Sequence, residues 1–115
     1  MLKFNEKFST KQITANGYNR AFVNFTRLKT LWFNTGTLCN LSCKGCYIES
    51  SPTNNNLLYL NIKDVKNYID QMALNEISCD TIGITGGEPF MNRDIIEILD
   101  LCIKSKYSIL VLTNA

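Results

Sequence analysis

The chain has 115 residues, which is the size of one small domain. Its 12 basic and 10 acidic side chains give a net charge of +2. So small a charge gives no indication of a nucleic-acid partner or a membrane surface. Histidine is absent, which excludes a histidine general base, a Ser-His-Asp triad and a histidine-rich zinc site. No apolar run has the length of a signal peptide or a membrane span, so a cytoplasmic location is predicted.

Residues 1–28 are predicted to be an N-terminal extension of the main fold. The dipeptide Asn16-Gly17 is typical of a tight turn and is compatible with a β-hairpin that carries Phe22 and Phe25 on its return arm. An irregular extension over the same residues is the alternative.

A strand, a long loop and a helix follow in chain order. Residues 30–34 are apolar and rich in aromatic side chains, which predicts a short buried strand. Residues 39–56 are rich in glycine, serine, proline and asparagine without periodicity, and loops of this length in compact domains tend to be functional. Asn61 with Asp64 resembles a capping box and predicts the start of a helix. Apolar residues at helical spacing predict its inward face: Ile62, Val65, Ile69 and Met72.

Two more strands enclose a second helix. Apolar runs at residues 81–85 and 108–113 predict buried strands, and a helix is predicted over residues 92–105. The inward face of this helix is predicted to consist of Ile95, Ile96, Leu99 and Ile103. The alternation of strands and helices predicts an α/β fold, a parallel βαβαβ sheet with right-handed crossovers. Because a parallel sheet needs cover on both faces and the chain stops after its third strand, residues 29–115 are expected to be half of a larger fold.

Three of the five cysteines are closely spaced in the long loop. Cys39, Cys43 and Cys46 have a Cys-x3-Cys-x2-Cys spacing, and a loop with this spacing can wrap three thiolates around one cubic iron–sulfur cluster. Three ligands leave one iron of such a cluster with open coordination, as at catalytic metal sites generally. Cys79 and Cys102 stand at positions suited to packing. On the cysteines alone, a three-cysteine zinc site and incidental buried thiols stay open as alternatives.

A second motif, Gly-Gly-Glu-Pro, follows the second predicted strand. Gly86 and Gly87 allow a ligand to approach the backbone, whose carbonyls accept hydrogen bonds from an ammonium group, and Glu88 adds an anionic acceptor. In isolation the motif is more typical of a turn closed by Pro89 with a solvated glutamate. Parallel strands end at the same edge of a sheet, so the motif is expected beside the cysteine loop.

Together the two motifs resemble the radical S-adenosylmethionine superfamily, over residues 31–115. The resemblance implies that this chain is the βαβαβ N-terminal half of a partial (β/α)6 barrel, truncated after the third strand. It implies that Cys39, Cys43 and Cys46 bind a 4Fe–4S cluster whose open iron chelates S-adenosylmethionine. It further implies a one-electron donor, such as flavodoxin or ferredoxin, and reductive cleavage to a 5′-deoxyadenosyl radical that abstracts hydrogen from a substrate.

The resemblance also implies residues that contact S-adenosylmethionine, which are Gly86, Gly87, Glu88, Tyr47 and Asn114. The first three are expected at the methionyl group. Gly45 stands where the family usually has an aromatic residue, so Tyr47 is one candidate for the adenine contact. Asn114 follows the third strand and is expected at the same rim, where the family often has Thr-Asn-Gly.

Two interpretations of function remain. The first is a radical S-adenosylmethionine enzyme whose isolated 115-residue part is expected to be inactive, because the later strands of the barrel supply further cofactor contacts. The second is a non-catalytic three-cysteine iron–sulfur or zinc module, or an inactive remnant. The substrate is open, since fold does not specify reaction; peptide modification, cofactor biosynthesis and activation of another enzyme are all compatible.

Overall fold

The computed structural model describes residues 11–114, and a three-stranded parallel sheet forms its centre. The elements in chain order are β1 (Leu28–Asn34), α1 (Ile62–Leu74), β2 (Cys79–Thr85), a 3-10 helix (Pro89–Met91), α2 (Ile95–Lys104) and β3 (Ser108–Val111). The strand order is β1-β2-β3 and both pairings are parallel. The predicted α/β half-barrel is thereby confirmed. Residues 1–10 of the predicted extension and Ala115 lie outside the described residues.

Helix α1 begins and packs as its sequence predicts. Asp64 N donates to the Asn61 side chain at 3.0 Å, and Asn61 N donates to the Asp64 carboxylate at 3.3 Å, which completes the capping box. Val65, Ile69 and Met72 are buried in the core. They recur every three or four residues, so they form one stripe that faces the sheet.

Helix α2 presents a different face from the predicted one. Its buried residues are Ile95, Ile98 and Cys102, whereas Ile96 is 66% and Ile103 61% exposed. The prediction that Ile96 and Ile103 point inward is therefore wrong. Successive residues of a helix are about 100° apart, so burial of the Ile95, Ile98 and Cys102 stripe turns Ile96 and Ile103 away from the core.

The predicted start of α2 at residue 92 is also wrong, because Asn92 is a buried tether. Its Nδ2 donates to Thr35 O at 3.1 Å and to Leu60 O at 2.8 Å, while its Oδ1 accepts from Asp94 N at 2.9 Å. These bonds connect the segments that follow β1 and precede α1 to the segment that precedes α2.

The sheet has one helix-covered face and one open face. In register across the strands, Phe33, Ile84 and Val111 lie on the covered face and belong to or pack against the core. The residues one position earlier, Trp32, Gly83 and Leu110, lie on the opposite face, where Trp32 and Leu110 are each 45% exposed. The Trp32 ring covers Gly83 so closely that a β-carbon would overlap it. Glycine at this position therefore makes room for the indole.

Residues 11–27, the described part of the segment before β1, contain a turn with one antiparallel bridge but no strand. Gly17 has φ +80° and donates to Thr14 O at 2.9 Å, and a single antiparallel bridge joins Ile13 to Asn19. Phe22 and Phe25 lie outside any strand and are 83% and 71% exposed. The turn at Asn16-Gly17 is confirmed, and the chain beyond it follows the irregular alternative. Within residues 11–114, no helix combines the length and apolar character needed to cross a membrane.

Candidate cofactor site

A cavity of about 410 Å³ lies at the carboxyl edge of the sheet. Six of the residues predicted for the site from the sequence line it: Cys39, Cys43, Cys46, Gly86, Gly87 and Asn114. They come from three separate segments, the loop after β1, the turn after β2 and the residues after β3. The structure therefore brings both sequence motifs to one cavity.

Main-chain hydrogen bonds hold the first part of the cysteine loop between the chain at Ser51 and the turn that follows β2. On one side, Cys39 N donates to Ser51 O at 3.1 Å, next to the parallel bridge between Leu38 and Ser51. On the other side, Glu88 N donates to Leu38 O at 3.0 Å, and Gly87 N donates to the carbonyl oxygen of residue 36 at 2.8 Å. The β1–β2 alignment thus continues past the strand ends into the cavity wall.

The paired glycines are needed for this close approach of the two backbones. Gly86 has φ +145°, a conformation that favours glycine, and a β-carbon there would lie 2.9 Å from Gly36 O. A β-carbon on Gly87 would overlap the Leu38 carbonyl group. The motif on its own predicts room for a ligand, and in the structure the two glycines also make room for the backbone of the cysteine loop.

Two of the three cavity thiols accept main-chain N–H bonds. Leu41 N donates to Cys39 Sγ and Ser50 N to Cys46 Sγ, each at 3.4 Å. The N–H of Ser50, followed by that of Ile48, lowers the pKa of the Cys46 thiol. The Ser50 hydroxyl acts weakly in the same direction, although it lies outside hydrogen-bonding geometry. Such donors favour the thiolate, which is the form that binds metals.

The donor set fits an iron–sulfur group better than a preformed single-ion site. Within residues 11–114, no three cysteine or carboxylate side chains converge closely enough to hold one metal ion. The three thiols instead face a cavity with room for a larger group, and thiolates are the soft ligands that select iron–sulfur clusters as well as zinc.

Glu88 is buried, and its carboxylate connects the ends of β2 and β3. It does not line the cavity; Oε1 accepts from Phe90 N at 3.0 Å, Oε2 accepts from Asn114 N at 2.9 Å, and the Thr113 hydroxyl lies 2.8 and 2.9 Å from the two oxygens. Burial raises the pKa of Glu88, but the donors from Asn114, Phe90 and Thr113 outweigh it and hold the pKa below its usual value. The expected contact of Glu88 with S-adenosylmethionine stays a prediction.

The other predicted residues have contrasting positions. Asn114 lines the cavity, and its Nδ2 donates to Asn40 Oδ1 at 2.9 Å and approaches Cys39 Sγ at 3.6 Å. Tyr47 is 78% exposed and lies outside the cavity wall.

Cys102 is fully buried in the core, where burial raises its pKa to about 11, and Cys79 packs against the same core. The packing role predicted for these two cysteines agrees with their positions.

The sequence did not identify Ser50 as a site residue. It also did not identify the bracing role of Glu88, whose carboxylate connects the ends of β2 and β3. Ser50 is buried in the cavity wall, four residues after Cys46. Its short distance from a predicted ligand was a usable signal, but serine is so common in loops that spacing alone does not single it out.

The structure is a parallel βαβαβ half-barrel. At the carboxyl edge of its sheet, a loop with three thiols and a turn with two glycines line one cavity. The chain belongs to the radical SAM superfamily, whose sequence profile matches residues 33–115. Members of this superfamily typically bind a 4Fe–4S cluster and S-adenosylmethionine, and they require an electron donor and a substrate. The family prediction made from the two motifs is confirmed.

Two curated proteins are similar to this chain in sequence. The chain is 33% identical over 114 residues to the antilisterial bacteriocin subtilosin biosynthesis protein AlbA of Bacillus subtilis, covering 99% of this chain and 24% of that protein. It is 38% identical over 76 residues to an uncharacterized protein of Methanocaldococcus jannaschii, covering 65% of this chain and 25% of that protein. The chain thus spans about a quarter of the length of these relatives.

Proposed function

We propose that this chain is the cluster-binding part of a radical S-adenosylmethionine enzyme, with residues 29–115 as half of the core domain and residues 1–28 as an extension. Cys39, Cys43 and Cys46 would hold a 4Fe–4S cluster, with S-adenosylmethionine beside it. The observation that carries the proposal is that the three thiols and the two glycines of the second motif line one cavity. The chemistry supplied when both cofactors are bound is reductive cleavage of S-adenosylmethionine to a 5′-deoxyadenosyl radical, for hydrogen abstraction from a substrate.

The protein's own residues bind and orient in this proposal. The N–H of Ser50 favours the thiolate form of Cys46, and the N–H of Leu41 donates to Cys39 Sγ. Gly86 and Gly87 line the same cavity as the thiols, and their carbonyl oxygens would accept hydrogen bonds from the ammonium group of S-adenosylmethionine. Glu88 would act through the orientation of Asn114, since its carboxylate is engaged by internal donors.

Anaerobic reconstitution with iron and sulfide tests the proposal. The full protein should acquire a broad thiolate-to-iron absorption with matching iron and sulfide content, and Cys43→Ala should abolish it. Cys79→Ser is the matched control, because Cys79 lies outside the cavity wall and its loss should leave the absorption intact. Stoichiometric zinc binding without an iron chromophore would instead establish the non-catalytic module.

The similarity to AlbA indicates which substrate class to test first. That protein is named for biosynthesis of a bacteriocin, so we propose a precursor peptide of bacteriocin type as the substrate. A cytoplasmic location and a one-electron donor such as flavodoxin or ferredoxin complete the proposal. Mass spectrometry of candidate peptides after incubation with the reduced, reconstituted enzyme of which this chain is the proposed part tests the substrate class. An unmodified peptide alongside active cleavage of S-adenosylmethionine would reject it.

A further inference from the structure

Ser50 is a buried side chain whose hydroxyl makes no hydrogen bond within the described residues; it lowers the pKa of the Cys46 thiol weakly but lies outside hydrogen-bonding geometry with it. The residue is 6% exposed, and its Oγ is the unpaired buried side-chain polar atom among residues 11–114. A buried hydroxyl without a partner costs free energy, so such groups in proteins usually have a function or an additional binding partner. Ser50 also lines the cavity that contains the three thiols. The missing partner is therefore expected in that cavity.

Backbone hydrogen bonds connect Ser50 and its neighbour Ser51 to two of the cysteines in the cavity. Ser50 N donates to Cys46 Sγ at 3.4 Å, and the next carbonyl, Ser51 O, accepts from Cys39 N at 3.1 Å. The position of Ser50 is therefore set from both sides by residues that the proposed function assigns to the cluster. A group bound by those thiols would lie within the reach of the Ser50 hydroxyl.

We propose that Ser50 is a positioning residue whose hydroxyl donates a hydrogen bond to a sulfur atom of the bound iron–sulfur cluster. This inference rests on the proposed function. Reduction adds negative charge to the cluster, so a donor aimed at a sulfur stabilises the reduced form more than the oxidised form. Ser50 thereby raises the reduction potential and makes the cluster easier to reduce by a one-electron donor.

The first experiment uses the cluster-free protein and distinguishes this role from an ordinary structural one. Ser50→Ala removes a hydroxyl that has no partner in the protein, so the thermal midpoint of the cluster-free variant should stay equal to that of the wild type or rise. A clear fall in this midpoint would show that the hydroxyl is bonded within the protein itself, and would overturn the inference.

The second experiment measures the reduction potential of the reconstituted protein by a titration followed by electron paramagnetic resonance. Ser50→Ala should weaken the preference for the reduced cluster about tenfold, which for one electron lowers the potential by ~59 mV. Ser50→Thr keeps a hydroxyl and should restore most of the shift. Ser42→Ala, which removes an exposed hydroxyl from the same loop, should leave the potential unchanged.

The outcomes separate the inference from the proposed function. A wild-type protein that binds no cluster would reject the proposed function, and this inference with it. A wild-type cluster with an unchanged potential in Ser50→Ala would overturn the inference alone. A change only in the affinity for S-adenosylmethionine would overturn it too, because the hydroxyl would then serve that cofactor. Loss of the cluster in Ser50→Ala with retention in Ser50→Thr and Ser42→Ala would support it.

Discussion

Replacement of Glu88 by glutamine should destabilise the protein even when no cofactor is bound. The Glu88 carboxylate is buried and accepts hydrogen bonds from Phe90 N, Asn114 N and the Thr113 hydroxyl. Glutamine has the same shape, but one of its two polar ends is a donor. Whichever way it is oriented, its NH2 group meets the N–H of either Phe90 or Asn114, and that N–H loses its acceptor.

The magnitude follows from these contacts. A hydrogen bond to a charged acceptor contributes about 1.5–3 kcal/mol, and the bonds that remain become neutral and weaker. Because the charge is buried, its removal also relieves a desolvation cost, which partly offsets the loss. We therefore expect Glu88→Gln to lower the free energy of unfolding by about 2 kcal/mol, or roughly thirtyfold in the equilibrium constant.

Chemical unfolding of the cluster-free protein at neutral pH measures this loss. Glu97→Gln is the matched control, because Glu97 is exposed on α2 and its substitution should change the free energy by less than about 0.5 kcal/mol. If Glu88→Gln is as stable as this control and only binds S-adenosylmethionine more weakly, then Glu88 acts as a cofactor contact and the bracing interpretation is refuted.

Three further predictions concern acid stability, the glycine turn and the Asn92 tether. The pKa of Glu88 is lowered in the folded state, so its contribution is present above the unfolded value, near 4.5, and is lost as pH falls through the lower folded value. Acid titrations of unfolding should therefore show a steeper loss in the wild type than in Glu88→Gln. Gly87→Ala forces a β-carbon against the cysteine-loop backbone and should cost about 2 kcal/mol or more, measured by urea unfolding. Asn92→Ala leaves two carbonyls without their donor and should cost about 2–3 kcal/mol by the same measurement.

The glycine and asparagine predictions each have a control variant in the same chain. Gly45→Ala introduces a β-carbon with no neighbour within 4 Å, so it should cost only the strain of a positive φ, about 1 kcal/mol. Asn75→Ala removes an exposed amide and should cost less than Asn92→Ala. Equal costs within either pair would contradict the role assigned to the buried member. An identical acid response of wild type and Glu88→Gln would contradict the lowered pKa.

The order of elements and the cysteine loop were predictable from local patterns. The periodicity of apolar residues that indicates a strand or a helix is a property of a short stretch of sequence. The Asn61–Asp64 capping box is likewise a contact within one helical turn, so both can be inferred without any distant part of the chain. The parallel topology follows from the alternation of strands and helices, which places both motifs at one edge of the sheet.

The directions of particular side chains depended on contacts between distant segments. Ile96 and Ile103 are as apolar as the buried members of α2, and only the docking of the helix on the sheet selects the face that is covered. Glu88 turns into the protein because donors 25 and 26 residues later in the chain reach its carboxylate. Ser50 is buried because the cysteine loop folds back beside Cys39. Composition and spacing describe local preferences, whereas burial and hydrogen-bond partners arise when remote strands meet. For that reason the place of Ser50 in the cavity wall and the inward direction of Glu88 were not predictable from the sequence.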